Sequence, residues 1–356
     1  MTAWNIKKVK IADLDYFFQE YTLHSSSVLP ISPLRIQSYI RNLRAKLDDV
    51  ALYYIEDQNQ IIAFRTVWAD EVQVGTESVR FAWCSGNWVS PEYRRQGISS
   101  LILDEMFADW NGKLMFTNYA PESLAGYLKS GLFHLQRSRN GSRFYFNANL
   151  LELYATRMRN KGIQLVIWMA NLLFRAWYHV RKYTFAAHRF PVNSIDVKQE
   201  SDDYAVFLAK DSMFKRGPKE LSWILEFPWL EKDANKIKIY PFSWKVKDFG
   251  YYFIKIETKK VIVSCMISVR EGELKLLYWN AADEHHELIA KWLVNFSSKN
   301  KIKMLTVLDP SMAKKIKEIR NPFVWNRSYS MNIYSTFDVP ENKLKVYDGD
   351  GDYIFT

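Results

Sequence analysis

The chain has 356 residues, of which 48% are hydrophobic and 25% charged, so it is a globular protein with ample core material and not a disordered one. Its length allows two domains or one large one. The formal net charge of +10 favours an acidic partner, whether a phosphorylated cofactor, a membrane surface or nucleic acid. The 16% aromatic content is most simply explained by aromatic-rich cores and strands.

Two cysteines, Cys84 and Cys265, lie within apolar strand-like runs that are far apart in the sequence. Because of these two features, we interpret them as reduced, buried thiols and not as a disulfide framework. A cytoplasmic compartment fits this interpretation. The first residues lack an apolar core followed by a small-residue cleavage site, so no secretory signal is expected.

The beginning of the chain predicts a strand, two helices and two more strands. Apolar residues at helical spacing predict helices over 12–23 and 34–47. Alternating or continuous apolar runs predict strands over 5–10, 50–56 and 61–68.

A fourth strand is predicted over 79–89, and a turn joins it to a helix. The turn contains Pro91, Arg94, Arg95 and Gly97, after which apolar residues recur at helical spacing. Such a turn directs backbone N–H groups toward one space at the positive end of a helix dipole, which suits an anion such as a pyrophosphate. An isolated Arg-x-x-Gly is more often an ordinary turn with solvated arginines.

Downstream, a strand is predicted over 113–117 and a short helix over 121–130, which ends before Gly131. The runs 132–136 and 143–147 predict a closing hairpin.

Two segments carry a family resemblance. The run from Val89 to Leu103 resembles the acetyl-CoA signature of the GNAT acyltransferases, in which Pro-Glu-Tyr-Arg leads into Arg/Gln-x-x-Gly-x-Gly/Ala at a helix start. Ser99 replaces the final Gly or Ala, and it is small and keeps its N–H. The second segment has Asn118, Ser123 and then a run from Tyr127 to Leu132, similar to the Asn, small residue and Tyr-x-Lys-x-Gly-Phe of that family.

The resemblance implies a mixed α/β fold, the GNAT acyl-CoA N-acyltransferase fold, with a central mixed sheet flanked by helices. It also implies acetyl-CoA as cosubstrate and Tyr127 as general acid toward the CoA sulfur, although a half-buried structural tyrosine is the alternative. Backbone groups near 87–89 are expected to pair with the pantetheine amides. The expected acetyl-CoA-binding residues are Trp88, Val89, Arg94, Arg95, Gln96, Gly97, Ile98, Ser99, Ser100, Asn118 and Ser123.

The general base is left open by the sequence. Many relatives have a Glu on the fourth strand, but 81–89 contains no carboxylate. Asp70 and Glu71 are the nearest candidates, and a water relay or an already neutral amine would serve equally. Cys84 fits buried packing better than a nucleophile. His134 and His285-His286 lack companions at ligand spacing, so no metal is expected.

Residues 157–189 form a basic segment with Trp and Tyr and without any acidic residue. Its apolar centre, 163–174, is shorter than the ~20 residues that span a bilayer. Two interpretations remain: a basic aromatic helix on an anionic membrane surface, or a helix packed between domains. No nucleic-acid-binding module is recognised.

The second half repeats the element order of the first: two strands and a turn over 251–270, a strand over 273–279, then a helix, a strand and a helix. No glycine-bearing turn precedes its first helix, where Asp283 stands instead. The expected organisation is a GNAT acetyl-CoA-binding catalytic domain at 1–150, a basic aromatic linker helix at 151–192 and a degenerate GNAT-like second domain at 193–356. The acidic segment 347–356, at the end of the second domain, lacks the Glu of a calcium loop. We interpret it as a turn or as an acidic lip of the cleft that attracts a cationic amine.

The expected function is therefore transfer of an acetyl group from acetyl-CoA to an amine acceptor that is small or carrier-linked, with an amino sugar of polysaccharide or nucleotide-sugar metabolism as the first candidate. The alternative is a non-catalytic CoA-binding or membrane-docking scaffold. The expected location is cytoplasmic, with peripheral contact at the inner membrane surface through 157–189. The sequence does not give the acceptor, the base or the oligomeric state.

Overall fold

The fold is described from a computed structural model. It describes residues 4–24, 28–117, 121–146, 161–186, 194–197, 212–232, 240–242, 244–258, 261–340 and 344–355. Two compact units are present, each built from separate parts of the chain. Unit 1 consists of Met1–Ser138, Lys210–Lys247 and Met331–Thr356, and unit 2 consists of Arg139–Ala209 and Asp248–Ser330.

Local sequence signals start several of the helices. Ser32 accepts a hydrogen bond from the Arg35 N–H at the start of the second helix, and Asp309 accepts one from the Met312 N–H at the start of the last. A proline follows each of these caps, as the first helical position allows. The helices are α1 Leu14–His24, α2 Pro33–Ile40, α3 Ile98–Asp109, α4 Pro121–Lys129, α5 Lys161–Ala186, α6 Pro218–Glu226, α7 His286–Lys299 and α8 Pro310–Glu318.

Unit 1 contains a seven-stranded mixed sheet. Its strands are β1 Lys7–Lys10, β2 Val50–Asp57, β3 Gln60–Val74, β4 Glu77–Val89, β5 Leu114–Thr117, β6 His134–Arg137 and, from far along the chain, β16 Ile333–Ser335. The order is β1-β2-β3-β4-β5-β16-β6. The β4–β5 pair is parallel, and every other neighbouring pair is antiparallel.

Unit 2 contains a second seven-stranded sheet. Its strands are β7 Asn140–Tyr145, β8 Ser194–Val197, β11 Phe249–Glu257, β12 Ile262–Arg270, β13 Glu273–Asn280, β14 Met304–Val307 and β15 Trp325–Ser330. The order is β15-β7-β14-β13-β12-β11-β8, and the β13–β14 pair is parallel. A separate parallel pair in unit 1 is formed by β9 Glu231–Lys232 and β10 Lys245–Val246.

The predicted hairpin between 132–136 and 143–147 is wrong. In the structure β6 pairs with β16, whereas β7 pairs with β14 and β15. Close backbone approach fixes β7 in its sheet, because a Cβ on Gly141 would lie 1.9 Å from the Val307 carbonyl oxygen. Each sheet thus contains one interior strand from the other half of the chain, β16 between β5 and β6 and β7 between β15 and β14, so neither unit is one contiguous segment.

The two faces of the first sheet have different cores. On one face α3 and α4 cover a mainly aliphatic cluster, which also includes Cys84 and Tyr127. On the other face tryptophan and phenylalanine rings pack together, for example Trp229 stacked on Phe355 with centroids 4.4 Å apart. The further rings of this aromatic cluster are Trp68, Trp83, Phe81, Phe214 and Trp223. Much of the high aromatic content is therefore core.

Both cysteines are free and buried, which confirms the prediction for Cys84 and Cys265. Within the described ranges, none of the helices combines the length and apolarity needed to cross a membrane.

Candidate active site

The parallel strands β4 and β5 separate soon after they begin to pair. Only Ala82 with Leu114 and Trp83 with Met115 are in register, whereas β4 stays paired with β3 as far as Val89. Among the described residues, no strand pairs with the β5-facing edge of β4 from Cys84 to Val89. An open strand edge can pair with an extended ligand that carries amide groups.

An irregularity at Gly86 accompanies this opening. Thr66 pairs with Ser85 and Arg65 pairs with Asn87, so Gly86 is an extra residue on β4. Its φ is +81°, and a Cβ at this position would lie 2.7 Å from the Thr66 Oγ1 atom. Glycine is required here because both the backbone conformation and the space exclude a side chain.

The turn between β4 and α3 has the form that the sequence predicts. Gly97 precedes the helix with φ +80° and offers no side chain to cap it. In the part of the chain that the structure describes, no atom lies within 4 Å of a Cβ built on Gly97, so a ligand could approach the turn here. The first backbone N–H groups of a helix lack partners within the helix and carry partial positive charge. Together with the exposed side chains of Arg94 and Arg95, they form a candidate anion site.

The other predicted cofactor residues are distributed around this turn. Trp88 stacks on Phe64, and Val89 ends β4. Ile98 is buried, so only its backbone faces the turn, whereas Ser100 is exposed in the first turn of α3. The side chain of Gln96 donates to the Glu92 carbonyl oxygen. Asn118 and the side chain of Ser123 lie outside the described residues.

Tyr127 lies on α4, against the aliphatic face of the sheet. It is 5% exposed and stacks on Phe116, with the two ring centroids 4.1 Å apart. Burial raises the pKa of Tyr127, and the nearby Arg65 guanidinium opposes that rise in pKa. The phenol therefore keeps its proton at neutral pH, as a general acid must.

Cys84 is next to Tyr127 on the same face of the sheet. Burial raises the pKa of the Cys84 thiol to about 12. A thiol with such a pKa is protonated at neutral pH and is a poor nucleophile.

Asp70 and Glu71 lie level with the paired part of β4, since their cross-strand partners are Phe81 and Arg80. The Asp70 carboxylate is fully buried and accepts hydrogen bonds from Arg216, Arg44 and the Trp83 indole. Glu71 accepts one from the Ser78 hydroxyl. Asp70 is thus committed to an internal ion-pair network, and neither residue lies at the point where β4 and β5 separate.

A carboxylate that the sequence reasoning did not single out does lie at that point. Asp352 accepts a hydrogen bond from the Ser85 hydroxyl at 3.1 Å on one oxygen and from the Thr117 hydroxyl at 2.9 Å on the other. Ser85 belongs to β4 and Thr117 to β5, so the Asp352 carboxylate connects the two strands where their pairing has ended. Arg35 also donates to the Ser85 hydroxyl, at 3.1 Å.

The position of Asp352 is fixed by the packing of the C-terminal segment. Ile354 and Phe355 are fully buried, and the Asp350 side chain accepts from the Tyr347 N–H at 2.7 Å. The only signal in the sequence was the acidic character of the tail, which suggested an acidic lip and could not place one carboxylate beside β4. Within the described residues, no three His, Cys, Asp or Glu side chains are grouped as a metal site would require.

These features define the class of the fold. A central mixed sheet flanked by helices, with a glycine turn before the helix that follows β4, is the arrangement that the GNAT resemblance implies. A second mixed sheet with its own diverging parallel pair follows in the chain. The predicted fold class, mixed α/β with two such sheets in tandem, is confirmed.

No model of a protein family and no curated protein matches the sequence. Solved structures with similar folds include a putative acetyltransferase from Pyrococcus horikoshii, at 11% identity and TM-score 0.49, covering 100% of this chain and 97% of the other. A probable N-acyltransferase from Enterococcus faecalis has 12% identity and TM-score 0.49, with 94% and 72% covered. The N-myristoyltransferase of Saccharomyces cerevisiae with bound myristoyl-CoA has 10% identity and TM-score 0.49, with 98% and 83% covered. Because these identities and TM-scores are low, the fold is assigned from the strand order of this chain and not from its similarity to these structures.

Proposed function

We propose that the chain is an acyl-CoA-dependent N-acyltransferase that uses acetyl-CoA as donor. The observation that carries the proposal is the position of two side chains at the separation of β4 and β5. Cys84 and Ser85 are successive residues of β4, so their side chains point to opposite faces of the sheet. Tyr127 packs on the Cys84 face, and Asp352 bonds Ser85 on the other face. A donor threaded between the strands would have an acid on one side and a base on the other.

In this proposal the turn at 94–100 holds the pyrophosphate, and the open edge of β4 pairs with the pantetheine amides. Asp352 accepts a proton from the acceptor amine while the amine nitrogen attacks the thioester carbonyl carbon. The new C–N bond forms, the C–S bond breaks, and Tyr127 gives its phenolic proton to the departing sulfur. The products are an amide and CoA with a free thiol.

The test is acyl transfer from labelled acetyl-CoA to a panel of amino sugars and peptide amines, with Tyr127→Phe as the diagnostic variant. We expect this variant to lower kcat about 10²- to 10⁴-fold, the usual contribution of general acid catalysis, and to leave the Kd for CoA unchanged. Tyr334→Phe is the matched control, because Tyr334 stacks on the same Phe116 ring, with centroids 4.9 Å apart. Equal kcat in Tyr127→Phe and wild-type protein would refute the assigned acid.

For the acceptor we propose an amino sugar on a phosphorylated carrier, with a peptide amine second. The support is the net charge of +10, which favours a negatively charged acceptor. Removal of the phosphate from an otherwise identical amino sugar should then raise KM. If peptide amines are better substrates than any amino sugar, the acceptor proposal fails and the acyltransferase proposal stands.

A second candidate function, peripheral docking at an anionic membrane surface, is supported by α5. This 26-residue helix exposes many large apolar side chains, whereas Asn171, Tyr178 and Phe185 are its buried positions. Its cations are Lys161, Arg175, Arg181 and Lys182, and its sequence contains no acidic residue. An apolar face with adjacent cations is typical of interfacial helices. The exposed apolar residues are Ile163, Leu165, Val166, Trp168, Met169, Leu172, Leu173, Phe174, Trp177, Val180 and Tyr183.

Co-sedimentation with phosphatidylglycerol vesicles and with phosphatidylcholine vesicles tests the docking. We expect binding to the anionic vesicles only, and loss of binding in the double variant Trp168→Ser, Trp177→Ser. Tyr252→Ser, at an exposed aromatic on β11, is the control and should bind normally. Equal binding of the double variant would exclude α5 as the docking helix. A protein that binds CoA and vesicles but acylates none of the amines would favour the scaffold alternative.

A further inference from the structure

Arg65 is a buried cation inside the candidate site. It lies on β3, is 3% exposed, and its Nη2 atom donates to the Ser99 hydroxyl at 2.7 Å in the first turn of α3. Its Nε and Nη1 atoms are also buried and have no hydrogen-bond partner among the residues that the structure describes. A buried cation is costly unless an anion or hydrogen bonds compensate for the lost water.

The same unit shows how its other buried arginines are compensated. Arg44 and Arg216 share the Asp70 carboxylate, and each is within 4 Å of it. Arg65 forms no ion pair with a carboxylate among the described residues, and its neighbours include Cys84, Tyr127 and the first turn of α3. A buried guanidinium without a carboxylate partner, next to the Tyr127 hydroxyl, is suited to a negative charge that forms at this place during the protein's work.

The geometry also indicates where that charge arises. The Arg65 guanidinium carbon lies 4.8 Å from the centre of the Tyr127 ring. Arg65 is two residues from Val67 on β3, so its side chain enters the aliphatic face on which Cys84 and Tyr127 lie. In such a site of low polarity, a tyrosinate next to a guanidinium is stabilised far more than it would be in water.

We propose that Arg65 is a positioning residue that stabilises the negative charge left on the Tyr127 oxygen after the phenol has protonated the CoA sulfur. This inference rests on the proposed function. In the step, the O–H bond of Tyr127 breaks, an S–H bond forms, and the electron pair stays on the phenolic oxygen beside Arg65. The proton that Asp352 took from the amine returns to Tyr127 through solvent and completes the cycle.

The electrostatics of the neighbouring groups agree with this role. The groups facing the Tyr127 hydroxyl are Arg65 on β3 and Cys84 on β4, and Tyr334 on β16 shares the aromatic stack. Burial raises the pKa of Tyr127, and Cys84 raises this pKa further, whereas Arg65 lowers it. Loss of the guanidinium should therefore move the tyrosinate titration to higher pH.

The test compares Arg65→Gln and Arg65→Lys with wild-type protein by three measurements. These are the tyrosinate titration by ultraviolet difference absorbance against Tyr127→Phe, kcat as a function of pH, and the Kd for CoA by calorimetry. For Arg65→Gln we expect a titration at higher pH, a fall in kcat of about 10²-fold, as for the loss of one charge-stabilising donor, and a nearly unchanged Kd. Arg65→Lys keeps the charge and should recover most of both effects.

Arg80→Gln is the control, because Arg80 lies 4.9 Å from the centre of the Trp110 ring, away from Tyr127, and should leave the titration and kcat unchanged. Weaker CoA binding in Arg65→Gln, with kcat and titration unchanged, would overturn the proposal and make Arg65 a phosphate ligand. The tyrosinate titration is measured without any turnover, so the two proposals can fail separately. Absence of acyl transfer by the wild-type protein would refute the proposed function. An unshifted titration in Arg65→Gln would refute the role of Arg65. If Arg65→Gln does not fold, Arg65→Lys is compared with wild-type protein instead. A tyrosinate titration of Arg65→Lys at the wild-type pH supports the charge-based role. A shift of that titration larger than the shift in Arg80→Gln overturns it.

Discussion

Each of the two sheets contains a parallel pair of strands that separates before a helix begins, but the turns that lead from these strands to the helices differ. In unit 1, β4 leaves β5 after Trp83 and leads through Gly97, with φ +80°, into α3. In unit 2, β13 is in register with β14 only over Glu273–Lys275, and it leads through Ala282, with φ −66°, toward α7.

The chemistry at the two helix starts is opposite. Before α3, no described atom lies within 4 Å of the Cβ position of Gly97, and the exposed Arg94 and Arg95 precede it. Before α7, Asp283 and Glu284 occupy the first turn of a short 3₁₀ helix, and His286 contacts the Ser311 hydroxyl at 3.1 Å. Carboxylates at a helix N-terminus satisfy its dipole from within the protein and repel a phosphate. The comparison teaches that the same strand arrangement is followed by two different turns, and that only the turn of unit 1 has the features of the proposed anion site.

The largest expected effect is on the carboxylate that unit 1 receives from the C-terminal segment. Asp352→Asn keeps the shape of the side chain but cannot accept a proton, so kcat should fall about 10²- to 10⁴-fold with an unchanged Kd for CoA. Steady-state kinetics and calorimetry check this. Asp338→Asn, at a side chain that is 97% exposed, is the control and should behave as wild type. Full activity in Asp352→Asn would remove Asp352 as base.

The second prediction distinguishes Asp70, to which we assign a structural role, from Asp352, which we propose as the base. Asp70→Asn leaves the buried Arg44 and Arg216 without their counter-charge, and we expect a loss of about 3–5 kcal/mol in the free energy of unfolding. Denaturant titration measures the loss, and Glu71→Gln should stay within about 0.5 kcal/mol of wild type. At low temperature the folded Asp70→Asn protein should turn over normally. A large fall in kcat at unchanged stability would instead identify Asp70 as the base.

The third prediction sharpens the comparison of the two turns. Gly97→Ala forces a side chain into a left-handed backbone and places a methyl group where a pyrophosphate would lie, so the Kd for CoA should rise about tenfold, equivalent to 1.4 kcal/mol. Gly75→Ala is the matched control, because Gly75 also has positive φ, at +61°, and open space around its Cβ position. Each variant should lose about 1 kcal/mol of unfolding free energy, and only Gly97→Ala should lose CoA affinity. Equal CoA binding by both variants would place the pyrophosphate elsewhere.

The smallest expected effect is in unit 2. Asp283→Ala removes an acid near the start of α7 and should cost at most about 1 kcal/mol in unfolding free energy. Calorimetry should still find one CoA per chain, with the affinity of the wild-type protein. A second CoA bound by Asp283→Ala would mean that a single carboxylate keeps the second sheet closed to the ligand.

Local physics let the sequence predict much of unit 1. The spacing of apolar residues gave the strands and α3, and Gly97 gave the turn, since a left-handed backbone at a helix start favours glycine. Tyr127 came from a family resemblance and not from its surroundings, so its burial against Phe116 and Arg65 had to be seen in three dimensions.

The sequence by itself determined the fold class, the position of the glycine turn before α3 and the buried state of both cysteines, because each follows from a local pattern of residues. Only the tertiary structure decided that β6 and β7 join different sheets, that Asp70 is held by two arginines, and that Asp352 reaches Ser85 and Thr117 across more than 200 positions of the chain. Strand partners and ion pairs of this kind join residues that are far apart in the sequence. They depend on which surfaces pack together in the folded chain, and the local spacing of residues does not specify this.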